Sequence, residues 1–148
     1  PILVPDQPNH PVRHIYALDV VKALITIIES GKGKGRAYNI SQDETLPLTD
    51  FLTKLGEAVG VEPKLVTIPR DRLVSDGFLP DCSPFSDIWM SEIDNTRSKV
   101  ELGMTYTPVS EYLTQIIKEL TDRRTNPPAG YRRRNAERTL AARALEGD

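Results

Sequence analysis

The sequence predicts an α/β chain, and three observations predict it. Short β-prone runs stand at VRHIYA (residues 12 to 17), RAYNI (36 to 40) and KLVTIP (64 to 69). Segments with a 3.6-residue apolar period separate or follow them. Glycines and capping residues mark the joints, so strand and helix alternate as in a parallel sheet with crossover helices. The 148 residues suffice for one domain of ordinary size.

The elements follow in order. VRHIYA reads as a strand, and Asp19 is placed to cap the helix behind it, its carboxylate accepting from free first-turn amides. In that helix Val20, Val21, Leu24, Ile25, Ile27 and Ile28 cover more than one stripe, which predicts burial on more than one side. GKGKG (31 to 35) ends it, and RAYNI is the second strand of a right-handed strand-helix-strand crossover. Leu48, Phe51, Leu52, Leu55 and Val59 keep helical spacing, predicting an amphipathic helix from about Thr49 to Ala58 that stops near Gly60. A strand over 64 to 68 ends at Pro69. From Arg70 to Ile93 regularity fails: PRDRL fits one helical turn, and LPDCSPFSDIWM is too rich in Pro, Asp and Ser for a regular element. Asp94 is placed to cap NTRSKVEL, which Gly103 ends. For the next helix Thr107 is the cap and Pro108 the first residue, with Val109, Tyr112, Leu113, Ile116, Ile117 and Leu120 on one face.

Charge divides the chain unevenly. Residues 1 to 122 sum to −6 and residues 123 to 148 to +4, an acidic body and a basic tail. TNPPAG between them reads as a linker, because proline restricts the residue before it and lacks an amide proton. The single cysteine, Cys82, reads as a free loop thiol, and no Cys/His cluster has metal-ligand spacing. No apolar run is long enough for a membrane span, so a cytoplasmic chain with no membrane partner is expected. The opening PILVP has strand character and no initiating methionine, which predicts a piece of a longer protein.

VRHIYALDVVKAL, GRAYNIS, LTDFLTKLGEAVG, LVTIPR and DNTRSKVELGMTYTP, in this order, resemble the C-terminal half of the NAD(P)-dependent epimerase/dehydratase family, the extended short-chain dehydrogenases that act on nucleotide sugars. Asp19, Tyr38, Asn39, Ile40, Asp94, Lys99, Leu102, Gly103 and Pro108 match its pattern over about residues 10 to 122. The resemblance implies the C-terminal part of a Rossmann-like fold: residues 1 to 46 as the end of the nucleotide-binding half, 47 to 122 as a small mixed α/β substrate-binding lobe, then a linker over 123 to 130 and a basic tail helix over 131 to 148. It further implies NAD or NADP in the complete enzyme and a nucleotide-sugar substrate. The family's Gly-rich turn and Tyr-x-x-x-Lys pair are missing here: GKGKG follows a helix instead of preceding one, and no tyrosine has a lysine four positions on. No cofactor is therefore expected on this chain alone, and its expected share is substrate binding and closure, with no catalytic residue.

The resemblance also nominates substrate contacts. In many members an arginine seven residues before the capping aspartate reaches the diphosphate; here that position is Val12, and Arg13 stands one residue off, which turns a strand side chain to the other face. Arg13 remains the candidate, while His14 reads as a packing residue. IPRDRL supplies Arg70 and Arg72, which meet an anionic substrate or pair with Asp71, Asp76 or Asp81. Trp89 covers a ligand ring or anchors its loop. Two other classes stay open. PFSDIWM is similar to a segment of the epimerase-like chloroplast RNA-binding group, and the basic tail would suit RNA, although the acidic body and the lack of interleaved aromatics favour a surface helix packed on its own body or on a sister subunit. A structural or oligomerisation module is the third. With its sheet partners missing, the chain is expected to expose a strand edge and apolar helix faces, and to need its missing half or a second copy.

Overall fold

The first strand, β1 (Ile2–Pro5), pairs in parallel with β4 (Leu65–Ile68), Ile2 opposite Leu65 and Pro5 opposite Ile68. A second, antiparallel pair joins β2 (Pro11–Val12) to β3 (Leu46–Pro47). The helices are α1 (Ala17–Ser30), α2 (Leu48–Val59), α3 (Arg70–Ser75), α4 (Thr96–Leu102), α5 (Val109–Arg123) and α6 (Arg134–Glu146), the last preceded by a 3-10 turn over Ala129–Arg133. This computed structural model describes residues 1–6, 11–12, 14–78, 93–123 and 129–147. Arg13, Cys82 and Trp89 lie outside them, as do most of the irregular stretch after Arg70 and residues 124–128 of the expected linker.

The chain is mixed α/β with a small parallel sheet, as predicted. The crossover expected over residues 12 to 40 takes another form. VRHIYA contributes only the end of β2, and α1 already begins at Ala17. RAYNI joins no helix and no ladder among the described residues. Its groups are taken by side chains instead: Arg97 donates to the Ala37 carbonyl at 3.1 Å, and Asn39 donates its side-chain amide to the Asp94 carbonyl at 2.8 Å. β-propensity needs a neighbouring strand to be realised, and none pairs with this run among the described residues.

Three apolar clusters hold the elements. Val66, Ile68 and Leu73 pack with Leu140 and Ala141 of α6, so the tail helix lies on its own body, against β4 and α3. The burial of β4 alternates as a half-covered strand requires, Val66 and Ile68 inward and Thr67 outward. Tyr16 packs with Val109, Tyr112 and Leu113, and this cluster extends to Phe51, Leu55 and Ala58 along the predicted stripe of α2. Ala23 packs with Leu102, Met104 and Tyr106, seating one side of α1 beside α4. Both α1 and α4 stop on a left-handed glycine, Gly31 (φ 67°) and Gly103 (φ 67°), where any other residue would be strained.

Candidate functional site

A polar frame ties the predicted motifs together, and Asp19 is its centre. The sequence placed Asp19 as a cap. It sits instead inside the first turn of α1, 5 % exposed, with Tyr16 flanking the helix. First-turn acids are favoured by the helix dipole as caps are, so the local signal is the same and a tertiary partner decides. That partner is Thr107, 88 positions on. One Asp19 oxygen accepts the Thr107 amide at 2.8 Å and the other its hydroxyl at 2.9 Å.

Thr107 is thereby unavailable as the cap of α5, and Glu44 replaces it, accepting the Val109 amide at 2.8 Å. Glu44 belongs to SQDET (41 to 45), a stretch to which sequence reasoning assigned no role. Gln42, 1 % exposed, donates its side-chain amide to the Thr107 carbonyl at 2.5 Å and its backbone amide to the His14 carbonyl at 3.2 Å. Asp43 accepts from Asn95 at 2.8 Å and from Lys99 at 3.1 Å. A polar run between two apolar elements signals that its groups need partners; sequence alone does not name them. Asp94, expected as the cap of α4, stands one residue before the cap position, Asn95, and accepts the Thr96 amide at 2.9 Å; hydrogen bonding with the Thr96 side chain first, then its backbone, holds the carboxyl below the usual carboxylate range. Tyr38 sets its hydroxyl 2.9 Å from the Glu101 carboxylate.

Aromatics fill the lower side of the frame. His14 stacks on Phe51 at 4.0 Å between centroids, the packing role read from the sequence, and burial lowers its pKa. Tyr16 stacks on Tyr112 at 5.4 Å and donates its hydroxyl to Gln115 at 2.8 Å. The Tyr112 hydroxyl is buried and has no hydrogen-bond partner among the described residues; burial first, then the nearby Glu44 charge, pushes it up to about 12.

The second polar region lies at the carboxyl ends of β1 and β4, the edge at which open α/β sheets bind ligands. Asp6, just past β1, accepts the backbone amide of Arg70 at 3.4 Å, so the two strand ends are tied where α3 begins. Arg72 points its guanidinium at Asp76, 2.9 Å away and one turn on, the first of the pairings that the sequence left open. Beyond α3, Arg133 lies over the Phe78 ring, 4.4 Å from its centroid, and donates to the carbonyls of Gly77 and Asp76. A cavity of about 230 Å³ opens there, lined by Asp76, Phe78, Ala136, Thr139, Leu140 and Arg143. Ligand clefts typically span roughly 300–1,000 Å³, so this one admits a ring or a phosphate and not a whole nucleotide sugar.

Of the four candidate contacts, Arg70 and Arg72 share this edge, while Arg13 and Trp89 fall outside the described residues. The glycine turn at residues 31 to 35 follows the C-terminal end of α1 and leads into residues 36–40, which belong to no helix or strand. Among the described residues no group of three or more His, Cys, Asp or Glu could hold a metal ion. No helix there is long and apolar enough to cross a membrane. No family model matches the chain, and no curated protein matches it either.

Proposed function

We propose that the chain is the C-terminal, substrate-side part of an NAD(P)-dependent epimerase/dehydratase-like protein, contributing binding and closure over a nucleotide sugar in the cytoplasm. The observation that carries this reading is the double bond from Asp19 to Thr107. Segments that give the sequence its family likeness are engaged across long stretches of chain: Asp19 with Thr107 just before Pro108, Asn39 with Asp94 and Tyr38 with Glu101. A motif order that persists through such bonds is what a shared architecture would require, whereas chance matches have no reason to touch.

In this reading the nucleotide-binding half supplies the NAD or NADP site and the hydride chemistry. The chain's own share is electrostatic. Arg70 and Arg72 stand at the sheet edge where a diphosphate would approach, and a guanidinium offers it a planar fork of donors. For Arg72 the cost is the exchange of Asp76 for phosphate, which is small because that pair is solvent-exposed. Arg13 and Trp89 belong to the proposal on sequence grounds.

The test is ligand-observed NMR titration of the 148-residue chain with UDP-glucose, beside the Arg70→Ala/Arg72→Ala double variant. Saturable binding that weakens about tenfold or more in the variant is expected, the loss of one to two charged phosphate contacts. Equal binding by both proteins, or none by the wild type at millimolar ligand, would sink the reading.

A further inference from the structure

Helix α3 ends in a closed turn. Gly77 takes the left-handed conformation (φ 74°), its amide meets the Val74 carbonyl at 2.9 Å, and the Phe78 amide meets the Leu73 carbonyl at 2.8 Å. Both bonds fix the place of the Phe78 ring, over which Arg133 lies. The facing wall is one side of α6, where Ala136, Thr139, Leu140 and Arg143 follow the i, i+3, i+4, i+7 spacing. The cavity of about 230 Å³ between these walls is thus shaped by regular backbone, and the proposed nucleotide-sugar contacts do not use it.

Its lining states what fits. Asp76 is already neutralised by Arg72 at 2.9 Å, and the carbonyls of Asp76 and Gly77 accept from Arg133. Arg133 and Arg143 pair with no carboxylate among the described residues, so positive charge is in excess here. The Arg143 guanidinium holds no hydrogen bond to any described residue either, which leaves its donors open. Thr139 gives its proton to the Asn135 carbonyl at 3.0 Å, so toward a ligand its oxygen can only accept. Phe78, Leu140 and Ala136 supply the apolar surface that ligand clefts require beside a few placed polar groups.

We propose that this cavity binds a small aromatic carboxylate that carries a hydroxyl group, a molecule of the kind and size of 4-hydroxybenzoate. Arg143 takes the carboxylate on its planar fork of donors, the ring lies against Phe78 and Leu140, and the hydroxyl donates to Thr139. Positions 139 and 143 are one helical turn apart, about 6 Å, which suits the carboxylate and the hydroxyl at opposite ends of one ring. Inorganic phosphate has the charge without the flat apolar body, and a whole nucleotide sugar is too large. The site includes neither Arg70 nor a nucleotide, so the outcome of the UDP-glucose titration leaves it untouched.

Amide-detected NMR titration of the 148-residue chain with 4-hydroxybenzoate tests it, at low salt because charges at an open site are screened. Saturable shifts are expected at the amides of residues 76–78 and 136–143, with a Kd of about 0.1–10 mM, the range open to so small a ligand. The neutral 4-hydroxybenzyl alcohol, with the same ring and hydroxyl, should bind at least about fivefold more weakly, and Arg143→Gln should erase that difference. Arg143 is exposed on α6, so this variant should keep the wild-type circular dichroism spectrum. Ala136→Leu narrows the cavity from the helix side and should weaken both ligands about tenfold. Absence of saturable shifts up to about 20 mM, or equal affinity of the wild type and Arg143→Gln for the carboxylate, would overturn the proposal. So would shifts centred on α1, whose Leu18, Val21, Leu24, Ile25 and Ile28 are 48 to 78 % exposed where the sequence predicted burial on more than one side, because they would mark unspecific apolar contact.

Discussion

Replacing Asp19 with alanine strips the polar frame of its central acceptor. Two Thr107 donors, an amide and a hydroxyl held at 2.8 and 2.9 Å by a carboxylate that is 5 % exposed, lose their partner together. An unsatisfied buried donor costs about 1–3 kcal/mol, and Thr107 is only partly buried, so the pair should cost about 2–4 kcal/mol. For a chain of this size each kcal/mol lowers Tm by roughly 2–4 °C, which places the variant about 5–15 °C below the wild type. Urea unfolding at pH 7, followed by circular dichroism, measures the loss directly. A double-mutant cycle with Thr107→Val then separates the hydroxyl bond from effects on helix α1 alone, with a coupling of about 1 kcal/mol expected. Should Asp19→Ala fall within about 0.5 kcal/mol of the wild type, the size of an ordinary surface substitution, the frame would not be what fastens α1 to the segment before α5.

Gly56→Ala runs against helix propensity. An alanine inside α2 should ordinarily stabilise by about 1 kcal/mol, but its Cβ would sit 2.5 Å from the Val61 carbonyl oxygen and 2.6 Å from Pro63 Cδ. Overpacking against backbone makes a net loss of about 1–2 kcal/mol the expected result, and a variant more stable than the wild type would refute the contact. Tyr112 gives a pH signature. Its folded value of about 12 exceeds the ordinary 10.0, so above pH 10 the unfolded chain releases a proton that the folded one keeps. Stability should be intact below pH 10 and fall by about 2–3 kcal/mol between pH 10 and 12, and Tyr112→Phe should remove that part of the slope. At pH 7 the same variant should be neutral or slightly stabilising, because it deletes a buried hydroxyl that has no partner among the described residues.

What the sequence makes legible here is periodicity and punctuation. Phe51 and Leu55 of α2 and Val109, Tyr112, Leu113 and Ile116 of α5 pack where their spacing puts them, while Val59 and Leu120, assigned to the same stripes, are 52 % exposed; Gly31, Gly60 and Gly103 end helices as glycines do. β4 was readable as a short run bounded by Pro69. The polar frame was not. Asp19, Thr107 and Glu44 are all residues that local rules assign to helix starts, and each is near one, yet which carboxylate serves which amide is settled by contacts 65 and 88 residues apart. RAYNI shows the opposite failure: its β-prone residues promise a strand, and its backbone has no ladder neighbour among the described residues. The parallel pair of β1 with β4 is likewise invisible locally, since PILVP and KLVTIP carry no mark of each other. Arg70 and Arg72 were nominated by the resemblance and stand at the start of α3 just past β4, while Phe78 and Arg133 came together only through the docking of the tail.

The long reach of the Asp19 to Thr107 bond also orders events during synthesis. A ribosome adding about 5–20 residues per second takes roughly 4–18 s to travel from one partner to the other. Throughout that interval α1 has neither its anchor nor the Leu102 to Tyr106 surface beneath it, and the Glu137 carboxylate that meets the Leu3 amide of β1 is later still. Until residues 102 to 107 have been made, Ala23 and Ile27 of α1 thus lack the surface on which they rest. The order of synthesis therefore leaves α1 unfastened at Asp19 until the segment that carries Thr107 has been added.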